Sequence, residues 1–119
     1  MAKATAVAHT IQGLLKYHGL KNKKLRLPFH DSISVCVKEL TTTATVDFSP
    51  DYAEDMVQIN GTPARGIEAQ RVMVVIDALR KLDGSRDRVR VVSKNNLEKA
   101  KGLGFSAAAF ASIIQQHVF

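Results

Sequence analysis

Two clusters in this sequence carry residue types able to hold a phosphorylated ligand. The first runs from Ser93 through Asn95, Asn96 and Leu97 to Gly102-Leu103-Gly104, then to Phe105-Ser106-Ala107 at the head of an alanine-rich segment. Closely spaced glycines let a backbone approach an anion. A helix that begins just after them offers unpaired N–H groups and the positive end of its dipole. The pattern is that of a phosphate cradle, but two spaced glycines are a weak signal, and no Lys-Ser/Thr pair follows as a Walker loop requires. The plain alternative is a turn into a helix whose alanines permit close packing. The second cluster, Lys16-Tyr17-His18-Gly19, sets a cation, a phenol and an imidazole beside a glycine bend, and its plain alternative is an ordinary strand end.

Other candidates carry less. His9, His18, His30 and His117 are scattered with no partner at metal-ligand spacing, so a protein-bound metal site is not expected. Cys36 is the single cysteine, which excludes an intramolecular disulfide. Within the apolar run Ile33 to Val37 it reads as a small buried hydrophobe rather than a reactive thiol. Lys21, Lys23, Lys24 and Arg26 read as a solvated turn, too poor in interleaved aromatics for a nucleic-acid platform. Arg86, Arg88 and Arg90 alternate as one charged strand face would.

The chain around these clusters has the length and composition of one globular domain: 119 residues, 45% hydrophobic and 24% charged. Seventeen Lys and Arg against eleven Asp and Glu give +6, which favours an anionic partner without choosing among nucleotide, phosphorylated metabolite and RNA. The N-terminus lacks a signal-peptide core, and no stretch approaches the roughly 20 apolar residues of a membrane span. A soluble cytoplasmic protein is expected, with no membrane partner.

Thr5 to Ala8 reads as a first strand and Ile11 to Tyr17 as a second after a break near His9 and Thr10, with a helix as the alternative for the latter. Leu25 and Leu27 alternate about Arg26 in a strand that Pro28 stops. Ser32 to Lys38 and Thr42 to Phe48 read as neighbouring antiparallel strands, and Asp55 to Ile59 as a short strand closed by Asn60-Gly61. Thr62-Pro63 is a helix entry, with Thr62 as N-cap. Ile67, Val72, Met73, Ile76, Leu79 and Leu82 then recur at helical spacing, leaving Glu68, Arg71, Arg80 and Lys81 outward, until Asp83-Gly84. A strand from Arg88 to Val92 and a helix from Phe105 to His117 complete an α+β pattern, with helices on one face of a mainly antiparallel sheet.

Several of these blocks, in this order, resemble one family. Lys16-Tyr17-His18-Gly19, Leu25-x-Leu27-Pro28, Asp31-Ser32-Ile33-Ser34-Val35, and Asn95-Asn96-Leu97 leading into Gly102-Leu103 are similar to the mevalonate diphosphate decarboxylases of the GHMP kinase superfamily. The segment from Ala8 to Leu20 resembles the archaeal branch, whose members act on the monophosphate, rather than the branch with Lys-Tyr-Trp-Gly-Lys. The resemblance implies a GHMP-kinase N-terminal domain, ribosomal-protein-like in its β-α-β core, and an ATP-dependent decarboxylation with Mg2+. In that reaction the tertiary 3-hydroxyl of a 5-phosphorylated mevalonate is phosphorylated, and phosphate leaves with the carboxylate to give the isopentenyl product. It assigns Lys16, Tyr17 and His18 to the substrate, and Ser93, Asn96, Gly102, Leu103, Gly104, Ser106 and Ala107 to the ATP phosphates.

The resemblance also implies what this chain lacks. It covers about the first third of a family enzyme, a homodimer whose catalytic aspartate comes from a C-terminal domain, so the chain is expected to be inactive alone. The loop departs from the family's Gly-Leu-Ala-Ser-Ser-Ala, with Phe105 in the place of the first serine, and Glu98 and Lys101 are also unusual. The competing expectation is a non-enzymatic basic α+β domain that binds nucleic acid or acts as a scaffold. Its contact strip would be Arg86, Arg88, Arg90, Lys94, Lys99 and Lys101, and fold analogy alone supports it.

Overall fold

A computed structural model describes residues 3–97 and 105–118, with side chains to Gln115 in the last helix. Among the described residues, seven strands precede and flank two helices: β1 (Lys3–Leu15), β2 (Leu20–Asn22), β3 (Leu27–Pro28), β4 (Ile33–Ser49), β5 (Met56–Ile59), β6 (Thr62–Pro63), α1 (Ile67–Asp83), β7 (Arg88–Asn95) and α2 (Phe105–Val118). The main sheet has the order β1-β4-β7-β5-β6, and β2 and β3 form a separate small hairpin. Only the β5–β7 pair is parallel among the described pairings, which is why α1 lies between them in sequence as a crossover. The α+β expectation therefore holds, down to the β-α-β core.

Alternation along β4 and β7 sends Ala44, Val46, Val89 and Val91 inward, where Val57 joins them from β5. Val72, Ile76 and Leu79 of α1 and Ile113 of α2 close the same cluster, so both helices cover one face. Ile67 and Leu82, at the ends of the predicted apolar stripe, are exposed instead. Arg80, expected outward, is drawn in: its guanidinium donates to both oxygens of Asp55, one bond at 3.2 Å, and to Asp87 O at 3.1 Å. Asp55 also accepts the Val89 N–H at 2.9 Å, so this group locks α1 and β7 to the start of β5.

Four other expectations are corrected. β1 does not break near His9 but continues to Leu15, and the helix alternative for Ile11 to Tyr17 is ruled out. The two segments taken as neighbouring strands are one strand, β4, whose partners are β1 and β7. Thr62-Pro63 is not a helix entry. Asn60 and Gly61 take left-handed φ values of 49° and 80° in a two-residue loop, Gln58 pairs with Pro63, and Ala64 N–H donates to Val57 O at 2.8 Å. The Asn-Gly hairpin signal outcompetes the Thr-Pro cap, and α1 starts after Gly66, with no side-chain cap. Cys36 is exposed, on the half of β4 that pairs with β1 but not with β7.

The Asp55 lock has a pH signature. Burial pushes the Asp55 pKa up, but the hydrogen bonds from Arg80 and Val89 and the charges of Arg80 and Arg88 outweigh it and hold the value below the ordinary 3.8. A carboxylate depressed in the folded state contributes stability above its unfolded pKa and loses it as pH falls through the folded value. Urea unfolding should show Asp55→Asn less stable by roughly 1–3 kcal/mol at pH 7, because it strips charge-assisted bonds from a buried guanidinium. The difference should shrink as the pH falls below 3.8.

Candidate functional site

The site is set by an irregularity in the long β1–β4 ribbon. His9 pairs with Thr41 but Thr10 pairs with Val37, which leaves Lys38, Glu39 and Leu40 without partners on β1. A bulge of this kind bends a ribbon and increases its twist. Asn96 fixes it: Asn96 N–H donates to Thr41 O at 3.1 Å, Thr41 N–H donates to Asn96 Oδ1 at 3.0 Å, and Asn96 Nδ2 donates to Glu39 O at 2.6 Å. Asn95 and Asn60 tie the adjoining turn, with Thr42 Oγ1 donating to Asn95 Oδ1 at 2.7 Å and Asn95 N–H to Asn60 Oδ1 at 2.8 Å.

Beyond the bulge the distal ribbon passes the first turn of α2, and a cleft of about 440 Å³ opens between them. Lys16, Tyr17, Gln12, Ser32 and Ser34 line it from the ribbon and Ala107 from the helix. Gly13 matters here, because a Cβ at that position would lie 2.9 Å from Lys16 Cγ: the lysine stem rests on the glycine. His18 is exposed and is not part of this lining.

On the other side of the same helical turn lies a narrower cavity of about 200 Å³, lined by Ser106 and Phe105 together with Ser93, Asn95, Asn60 and Glu68. The Phe105 ring is buried, so the residue that departs from the family loop packs inward while Ser106 remains exposed. The first turn of α2 holds no acidic residue. Gly102, Leu103 and Gly104, with Glu98, Lys99 and Lys101, lie outside the described residues.

Of the residues singled out by sequence, the structure thus brings Lys16 and Tyr17 to Ala107, and Ser93 to Ser106. Asn96 is nearby, with its amide engaged by the bulge. Gln12, Asn60 and Glu68 were not singled out as site residues, whereas Asn95 and Ser34 belonged to the Asn95-Asn96-Leu97 and Asp31-Ser32-Ile33-Ser34-Val35 blocks without a role of their own. The arginine strip is engaged elsewhere: Arg88 pairs with Asp55 at 3.6 Å, and Arg90 stacks 4.5 Å from the centre of the Tyr52 ring.

Residues 8–117 match the family model described as the diphosphomevalonate decarboxylase-like N-terminal domain. The chain belongs to this family. It is 47% identical over 110 residues to the phosphomevalonate decarboxylase of Haloferax volcanii, covering 92% of this chain and 34% of that protein. The crystal structure of mevalonate diphosphate decarboxylase from Staphylococcus aureus superposes with a TM-score of 0.82 at 30% identity, covering 97% of this chain and 35% of that one. A mevalonate diphosphate decarboxylase from Enterococcus faecalis, solved in work on mevalonate diphosphate mediated ATP binding, gives 0.80 at 30% identity over 93% of this chain and 35% of its own. The chain spans about a third of the length of these relatives.

In this decarboxylase-family domain, Asn96 makes the bulge testable. Asn96→Ala should cost about 1 kcal/mol, the net worth of such bonds at a solvent-accessible site. Hydrogen exchange at the Thr41 amide should speed up well beyond the change at Val46 and Val91.

Proposed function

We propose that this chain is the ATP- and substrate-binding N-terminal portion of a decarboxylase acting on mevalonate 5-phosphate or 5-diphosphate, in the synthesis of isoprenoid precursors. The observation that carries the reading is the position of the α2 start: Ala107 faces the cleft of Lys16 and Tyr17, and Ser106 faces the cavity of Ser93 and Asn95. A phosphoryl donor on one side of that turn and an acceptor on the other would meet at the helix N-terminus, where free N–H groups and the helix dipole favour phosphate.

In this reading Lys16 neutralises substrate charge while Tyr17 and the Ser32 and Ser34 hydroxyls orient it, and His18, next in the chain, stays outside the lining. Ser106, the N–H groups of the first turn and the glycine loop hold the ATP phosphates, flanked by Ser93 and by Asn96. A tertiary hydroxyl leaves poorly, so its phosphorylation prepares the elimination of phosphate and carbon dioxide. Positioning and charge neutralisation are the protein's contribution. Mg2+ would enter with the nucleotide, and Glu68 is the carboxylate on the wall of the narrower cavity. The catalytic aspartate is assigned to the part of the family that follows this domain.

Calorimetry tests the division of labour. Mg–ATP should bind, and Ser106→Ala should weaken it about tenfold or more, the worth of a hydrogen bond to a charged group. Lys16→Ala should weaken mevalonate 5-phosphate and leave Mg–ATP unchanged. No nucleotide binding, or binding of a short RNA that falls steeply with salt, would overturn the reading.

A further inference from the structure

The covered side of β1 changes character along its length. Alternation places Ala4, Ala6, Ala8, Thr10 and Gln12 on the less exposed side of the strand, against exposed Lys3, Thr5, Val7, His9 and Ile11 on the other. Small residues give way to polar ones at the bulge between His9 and Thr10. A polar group on a covered side costs stability unless it is hydrogen-bonded, and each exception calls for a reason. Two exceptions fall here: Thr10 Oγ1 and Gln12 Nε2 are enclosed without a hydrogen-bond partner among the described residues. Across the ladder Gln12 pairs with Val35, whose side chain has nothing to accept a bond.

The two groups differ in place. Thr10 is wholly buried and lies outside the lining of the 440 Å³ cleft, whereas Gln12 is a wall residue of it, with Lys16, Tyr17, Ser32 and Ser34. Gln12 is also the neighbour of Gly13, on which the Lys16 stem rests. The terminal torsion of a glutamine is broad, so a small rotation presents the amide N–H to the cleft. An amide adds a donor beside the lysine without adding charge.

We propose that Gln12 is a ligand-binding residue of this cleft, its side-chain N–H donating to an oxygen of the phosphorylated hydroxy acid held beside Lys16. The proposal rests on the reading of this cleft as the substrate side. In that role the unpaired amide is a cost to the free domain that the ligand removes, so affinity and stability respond to it with opposite signs.

The test is calorimetry with mevalonate 5-phosphate alongside urea unfolding. Gln12→Met, similar in shape but without a donor, should bind about tenfold more weakly, the worth of one hydrogen bond to a charged group, and should unfold at a higher urea concentration. Gln12→Glu should bind more weakly still, because its carboxylate has no donor and repels the anion. Thr10→Val removes the other unpaired group, and should raise the urea midpoint with the affinity unchanged. If Lys16→Ala weakens binding while both Gln12 variants bind like the unaltered chain, the proposal is overturned and the substrate reading stands. Absence of binding by the unaltered chain would overturn the reading and the proposal with it. A Gln12→Met chain that loses stability as well as affinity would give Gln12 a packing role and overturn the proposal too.

Discussion

The bulge where β4 carries three residues more than β1, held by the Asn96 amide, is the constraint on which the site depends. A straight ribbon 13 residues long on one strand and 17 on the other would carry Lys16 and Tyr17 away from the helices in the plane of the sheet. Past the bulge, Lys16 and Tyr17 line one cleft with Ala107 of α2. Asn96 achieves this with both ends of one side chain and its own N–H, reaching across from the end of β7. Asn96, next to the Asn95 that lines the narrower cavity, therefore also fixes the bulge next to the strand that lines the wider cleft.

Much of the fold was legible in the sequence because local signals agreed with tertiary ones. The stripe of Val72, Ile76 and Leu79 gave α1, and alternation gave β7. What was misread follows from competition between signals. Thr62-Pro63 has the chemistry of a helix entry, but Asn60-Gly61 before it has the left-handed freedom of a tight hairpin turn, and the hairpin took both residues into β6. Two strands were read where β4 runs through, because a bulge interrupts alternation as a turn does. Cys36 was read as buried because its neighbours are apolar. Sequence pattern reports that a segment seeks cover, not whether the cover is in the same domain.

The site was legible in its motifs and illegible in its walls. Lys16, Tyr17, Ser93 and Ser106 stand out by type and by family resemblance, whereas Gln12 becomes a wall residue only through register. Two of the structure's tensions fall close to this region. Thr10 Oγ1 and Gln12 Nε2, on the strand beside the bulge, are buried without a hydrogen-bond partner among the described residues. The N-terminal turn of α2 lacks an acidic residue. The two unpaired side-chain groups cost stability.

Amide chemical-shift mapping of the labelled chain on titration with Mg–ATP tests most directly whether the start of α2 divides nucleotide from substrate. The arrangement predicts shifts concentrated at Ser93, Asn95, Ser106 and Ala107, with the β2–β3 hairpin unmoved. Shifts confined to Lys21 through Arg26, or to the Arg88 and Arg90 face of β7, would contradict it.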